Sequence, residues 1–446
     1  MNYIFFFLTK IALIFFIISS FFTNVNKAFI IDNIQEIIRN QCIFQHGNIP
    51  KIKVGINAIR IKGGGRARIT ALFLNYLHKC KIFELFLFNI YQEENEYPIP
   101  LDIKRINITR NNPKYLIDKI RKNHIDIFIY QLSYIDEIKK LNELKGVKVI
   151  YYIHSSIFYY FYSFDFDFFR LLYQEYKNCK YVLNLVHFEN DFLFKKWNIT
   201  SLLIDNFVTY DYDLINPSDL SSQMIIMIGR IEIIKKFQLG ILSMKYIIKE
   251  IPNSTMKILL DYKDYRLEDL IYVLQLKDNI EIIPSVQNPE IYLRNASLHI
   301  LPSFCESFGL VLSEAKLFGI PSILLGLDYL PLSKGGTIII YDDSPESIAK
   351  EAIKILSNKD YRKQLGKEAR ESMKIYNNEN TTNSWIELIL SVYNGDKYYE
   401  LLRQKKKYLS TNESLFHYNK QFNLLKKRID YFKNYTLTDF DNYLSI

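Results

Sequence analysis

Residues 305–326, CESFGLVLSEAKLFGIPSILLG, hold Glu306 and Glu314 eight positions apart, with Gly309 between them. The preceding SLHILPS reads as a strand ending at Pro302, and LVLSEAKLFG reads as a helix stopped by Gly319 and Pro321. Ser307 to Gly309 then occupy a strand-to-helix turn, where orphan backbone N–H groups and the positive helix end favour a phosphate. Gly309 allows that phosphate a close approach. Glu306 falls before the turn and Glu314 about a turn and a half inside the helix. The two carboxylates therefore address different parts of one elongated ligand with an anionic centre, the shape of a nucleotide-diphosphate sugar.

The elements that would position these groups form two alternating series. Apolar runs at 51–59, 82–90, 125–132, 147–154, 181–188 and 201–208 read as strands separated by helices. A polar, turn-rich stretch, TYDYDLINPSDLSS, follows as the linker. Strands resume at 223–231, 254–261, 279–285, 297–303, 320–326 and 336–343, and Ser344 with Pro345 then opens a helix as cap and first-turn residue. This pattern predicts two doubly wound parallel sheets, whose ligands bind at the carboxyl ends of the strands. The expected domains are 31–208, a linker at 209–220, a second domain at 221–375, and C-terminal helices with a basic tail at 376–446.

Composition is compatible with that architecture. A chain of 446 residues exceeds one comfortable core. Its 49% apolar and 24% charged residues exclude a largely disordered chain. Cys42, Cys80, Cys179 and Cys305 lack the paired spacings of a zinc site or disulfide framework. The net charge of +9 is spread along the chain, with no helix-turn-helix, RNA-recognition or zinc-finger pattern, so nucleic acid is not an expected partner. Residues 1–30, beginning MNYIFFFLTKIALIFFIISSFF, read as a signal-anchor or a signal peptide and predict a membrane-associated protein of the secretory pathway.

ESFGLVLSEAKLFGIPSILLG resembles the glutamate-seven-residues-glutamate segment of retaining glycosyltransferases of the GT-B fold, particularly glycosyltransferase family 4. MIIMIGRIEIIKKFQLGILSMKYIIKEIPNSTMKILL is similar to the strand, Gly-Arg, lysine and long helix that open that family's second domain. KGGGRARITALFLNYL resembles its glycine-rich loop and first helix. The resemblance implies two Rossmann-like α/β domains facing a central cleft. It implies that Arg230 and Lys235 bind the donor diphosphate, Lys235 rather than Lys236 because Phe237 then begins the helix. Glu314 would hold the ribose hydroxyls, Glu306 would face the donor sugar, and the backbone of Phe308, Gly309 and Leu310 would meet the phosphate. Gly64 and Gly65 would pass near the diphosphate or the acceptor. His154, at a strand end, would contact the sugar or acceptor side as a catalytic group.

The implied activity transfers a hexosyl unit from a nucleotide-diphosphate sugar to a hydroxyl of a glycan or lipid-linked acceptor, with retention, without metal and without a further cofactor. Two features depart from the family: the glycine pair after SILLG comes late, as Gly335 and Gly336, and the chain runs on past Asn394. An Asp-x-Asp metal site would use Asp165 and Asp167, but the pattern recurs at 211–213 and 439–441, as chance would give. The other class weighed is a non-catalytic nucleotide-sugar-binding or scaffold protein on the same frame. Removal of residues 1–30 is expected to leave a protein that folds and still binds its donor, read by circular dichroism and nucleotide titration. Collapse of the shortened chain alone would make that segment part of the core.

Overall fold

The computed structural model describes residues 51–402 except 163–165, 285, 287, 397–398 and 401, and beyond them 417, 419–421, 423–425 and 427–428. The expected N-terminal targeting segment lies outside the described residues. Among the described residues, no helix is long and apolar enough to cross a membrane.

Seven parallel strands form the first sheet: β1 (Ile52–Ala58), β2 (Phe83–Asn89), β3 (Lys104–Asn107), β4 (Ile127–Tyr130), β5 (Lys148–Tyr152), β6 (Tyr181–Asn184) and β7 (Ser201–Leu203), in the order β3-β2-β1-β4-β5-β6-β7. Six form the second: β8 (Met224–Gly229), β9 (Thr255–Leu260), β10 (Ile280–Pro284), β11 (Leu298–Leu301), β12 (Ser322–Leu325) and β13 (Thr337–Ile340), in the order β10-β9-β8-β11-β12-β13. Helices covering both faces account for the unbroken apolar runs, since β4, β6, β11 and β12 are buried along their whole length. Each sheet reverses its winding once, between β1 and β4 and between β8 and β11. A doubly wound sheet opens its ligand crevice at that point.

Strand β3 has no counterpart in the sequence reading. Its residues KRIN are half-exposed at the sheet edge, and Lys104 donates to Glu84 at 2.6 Å. A short charged strand of this kind protects an edge and carries no apolar signature.

Several polar anchors close the frame. The expected cap at Ser344 forms, accepting from Ser347 N–H at 3.2 Å. The turn-rich stretch after Thr209 is held by the second half, with Arg370 donating to the carbonyls of Tyr212 and Ile215 at 2.8 and 2.7 Å. The helix Asn378–Asn394 returns to the first sheet, where buried Trp385 lies edge-on to Phe73 at 5.0 Å and Tyr152 at 5.2 Å. Gly336, one of the late glycine pair, is fixed by packing: a Cβ there would stand 2.2 Å from the Leu365 carbonyl. Among the described residues beyond 402, Lys420 donates to Asp328 at 2.7 Å, and Arg428 bridges Asp343 at 2.7 Å and the Tyr162 hydroxyl at 2.9 Å.

Glu189 is a deeply buried acid of the first half. It accepts from the Ser156 hydroxyl and from Ile157 N–H at 3.0 Å, serving the N-terminus of the helix Ile157–Tyr162. Burial pushes its pKa up to about 8, against the lowering effect of those two donors. A folded-state value above the unfolded one means a contribution present below the ordinary carboxylate range and lost as pH rises towards 8. Unfolding free energy is therefore expected to fall between pH 5 and 8 by up to about 1.4 kcal/mol per pH unit, and Glu189→Gln is expected to flatten that slope in denaturant titrations.

Candidate functional site at the strand ends

The loops after β1, β8 and β11 meet at the two winding reversals. After β1, Gly63 and Gly64 adopt positive φ of 65° and 70° and lead into the helix Gly64–His78. A Cβ on Gly64 would lie 3.0 Å from Arg230 Cδ, and one on Gly65 would lie 2.9 Å from Leu310 Cδ1. The φ of Gly64 favours glycine, and the two glycines bring this loop close to Arg230 and Leu310 of the second half.

After β8, Arg230 extends half-exposed and pairs with Glu232 at 2.8 Å. Lys235 closes a short turn over Ile233–Lys235, and its Nζ meets Glu306 Oε1 at 2.6 Å, both side chains mostly buried. Lys236 takes a left-handed backbone and points elsewhere, its Nζ 4.8 Å from the centre of the Phe304 ring. The lysine that reaches the two-glutamate segment is thus Lys235.

After β11, the Tyr329 hydroxyl donates to the Glu306 carbonyl at 2.7 Å and accepts from the Glu306 N–H at 3.0 Å, holding that backbone on both sides. Phe308 is buried, edge-on to Tyr376 at 6.0 Å. Gly309, at φ 82°, begins the helix Leu310–Leu317 with no side-chain cap and no acid in the first turn. Its first N–H groups are free to receive an anion.

Glu314 lies inside that helix at 1% exposure. Its Oε1 accepts from Arg68 and from the Thr209 hydroxyl at 2.7 Å, whereas its Oε2 is buried without a partner. Arg68 Nη2 also donates to the Tyr97 hydroxyl at 3.2 Å, and the Glu314 charge raises the arginine pKa against the opposing pull of burial. One buried carboxylate therefore joins the first helix, the linker and the second sheet. The unmet lone pairs of Oε2 suit a ligand hydroxyl donor.

His154 follows β5 and packs on Tyr152, ring centres 3.9 Å apart. Its Nε2 lies 2.8 Å from Gln131 Oε1. The Gln131 amide nitrogen donates to the Thr70 hydroxyl at 2.6 Å and to the Asn57 carbonyl, and Thr70 donates to the Arg66 carbonyl at 2.9 Å. Gln131 Oε1 must therefore accept, which assigns the proton to Nε2 and leaves Nδ1 as the acceptor. Burial, and secondarily the charge of Arg66, hold the imidazole pKa well below its ordinary value, so the ring is neutral.

The sequence reading did not include Arg66, Arg68, Thr209, Gln131 or Tyr329. Arg66 and Arg68 had one local signal, their place in the first turns after the glycine loop; the others had none.

Residues 214–372 match the family model for glycosyl transferases group 1. An uncharacterized glycosyltransferase of Haemophilus influenzae is 23% identical over 319 residues, 64% of this chain and 90% of that protein. Among solved structures, sucrose-phosphate synthase of Thermosynechococcus elongatus superposes with a TM-score of 0.65 at 15% identity, over 77% of this chain and 100% of that one. The Anabaena protein HepE, solved with UDP and glucose, superposes with a TM-score of 0.64 at 14% identity, over 76% and 100%. The chain thus has a GT-B-like α/β fold of two Rossmann-like halves and carries a group 1 glycosyltransferase domain in the second.

Removing one partner of a buried ion pair strands the other charge. Arg68→Met is expected to lower unfolding free energy by about 3 to 5 kcal/mol in denaturant titrations. Adding Glu314→Gln should recover more than half of that loss; strict additivity of the two changes would refute the coupling.

Proposed function

We propose that the protein is a retaining glycosyltransferase of the family 4 type, moving a hexosyl unit from a nucleotide-diphosphate sugar to an acceptor hydroxyl without a metal ion. The observation that carries this reading is Glu314, a carboxylate held by two donors, Arg68 and Thr209, with one buried oxygen unmet among the described residues. A ribose diol donating to Oε2 would satisfy it. The group 1 family match and the UDP bound to HepE support a nucleotide ligand.

In this reading the donor diphosphate lies across Arg230, Lys235 and the N–H groups of Phe308, Gly309 and Leu310. These cations and amides face the charge that grows on the leaving phosphate, where fixed dipoles need no reorganisation. Glu232 and Glu306 keep the two cations neutralised until the diphosphate arrives. Glu306 then faces the sugar. The bond from the anomeric carbon to the phosphate oxygen breaks while the acceptor oxygen bonds to the same face of that carbon. The acceptor proton passes to the departing phosphate oxygen, and nucleoside diphosphate is released. His154, neutral with Nδ1 as acceptor, positions the hydroxyl on the first-sheet side. The acceptor is a glycan or lipid-linked hydroxyl, and the apolar run at residues 1–30 supports attachment to a membrane of the secretory pathway.

A thermal-shift panel of nucleoside diphosphates and nucleotide sugars tests the donor class, because a ligand of the native state raises its stability by mass action. Glu314→Gln is expected to weaken nucleotide binding by about 1.5 to 3 kcal/mol in calorimetry. Glu306→Gln should leave nucleoside diphosphate affinity nearly unchanged while turnover drops by a factor on the order of 10². Equal losses of both quantities in both variants would refute this division of roles. Turnover should also survive EDTA; a loss restored by manganese would sink the metal-free mechanism.

A further inference from the structure

Arg230 and Lys235 each have a carboxylate partner, but among the described residues Arg66 has none. Arg66 stands in the first turn of the helix Gly64–His78, whose N-terminus has no side-chain cap and no acid. Its Nε is buried without a hydrogen-bond partner. Burial lowers its pKa, and the groups that act on its charge are Tyr160, Arg230, Tyr176 and Tyr134, with no carboxylate among them. A second cation nearby makes the uncompensated charge still less favourable. An anion that pairs with the Arg66 guanidinium removes that penalty.

We propose that Arg66, with the uncapped first turn of its helix, binds a phosphate monoester carried by the sugar acceptor. Three observations favour the acceptor over the donor. Arg66 is surrounded by tyrosines of the first half, following β4 or lying in the helices Ile157–Tyr162 and Phe166–Tyr176. Its carbonyl is tied through Thr70 and Gln131 to His154, the residue placed on the acceptor side. The second half has its own helix end and its own cations for the donor diphosphate, Arg230 and Lys235, each paired with a carboxylate of that half. The guanidinium fork matches a phosphate, and the orphan N–H groups of the first turn add donors along the helix axis. The inference rests on the glycosyltransfer reading, and it narrows the acceptor to a phosphorylated sugar or polyol.

The test uses the full chain and three probes: glucose 6-phosphate, inorganic phosphate, and whichever of UDP, GDP or ADP stabilises the parent most. With that nucleotide saturating, glucose 6-phosphate is expected to bind in calorimetry and glucose to bind at least tenfold more weakly. Arg66→Gln should weaken sugar-phosphate and phosphate binding tenfold or more while nucleotide affinity stays within about twofold, and Arg66→Lys should restore part of the loss. Unchanged nucleotide binding also certifies that each variant is folded. The inference falls if the nucleotide displaces the phosphate probes, if Arg66→Gln weakens nucleotide and phosphate equally, or if a nucleotide-binding parent ignores both phosphate probes. A parent that binds no nucleotide defeats the donor reading separately, and the Arg66 dependence of phosphate binding still decides the anion site.

Discussion

The buried ion pair between Arg68 and Glu314 is the constraint on which the site depends. A carboxylate at 1% exposure inside a helix would be expensive without a fixed cation, and the cation comes from the other half of the molecule. Because such a pair repays its desolvation only in one geometry, its value lies in register more than in stability. Thr209 adds the linker to the same oxygen. Three segments distant in the chain are thereby aligned on a single atom, and the neighbouring oxygen is left for a ligand.

The contacts around Gly64 and Gly65 follow from that alignment. With the first helix held against Glu314, the glycine loop reaches Arg230 and Leu310. The same juxtaposition gathers cations of both halves at the strand ends. Those of the second half are neutralised by Glu232 and Glu306, which keeps the empty site from repelling itself. Arg66 lacks such compensation, and its unmet charge distinguishes the first-half side of the site chemically from the second.

The periphery supports this arrangement by polar anchoring as well as by apolar packing. The helix Asn378–Asn394 crosses back, with Asn378 bonding both the N–H and carbonyl of Val208 at 2.9 and 3.0 Å, where the first sheet ends. Arg428 reaches Tyr162 of the first half and Asp343 of the second, so the basic C-terminal segment acts as a clasp. Two of its positive charges, on Lys420 and Arg428, meet the carboxylates of Asp328 and Asp343.

Much of the architecture was legible in the sequence. Twelve strands announce themselves as apolar runs, most plainly the inner ones such as β4, β6, β11 and β12, which are buried along their whole length. The edge strand Lys104–Asn107 does not, since half-exposed edge residues carry no such signature. The strand-to-helix turn at Gly309 was also legible, because such turns are written in adjacent residues. Which carboxylate meets which cation was not: Arg68 and Glu314 are 246 positions apart, and the Gln131 amide that sets the His154 tautomer is 23 from it. Sequence by itself determined the elements and the residue types available for phosphate and hydroxyl recognition. Tertiary structure decided the pairing of charges, because the energy of a buried charge depends on what surrounds it in space, and neighbours in space are set only when the sheets pack.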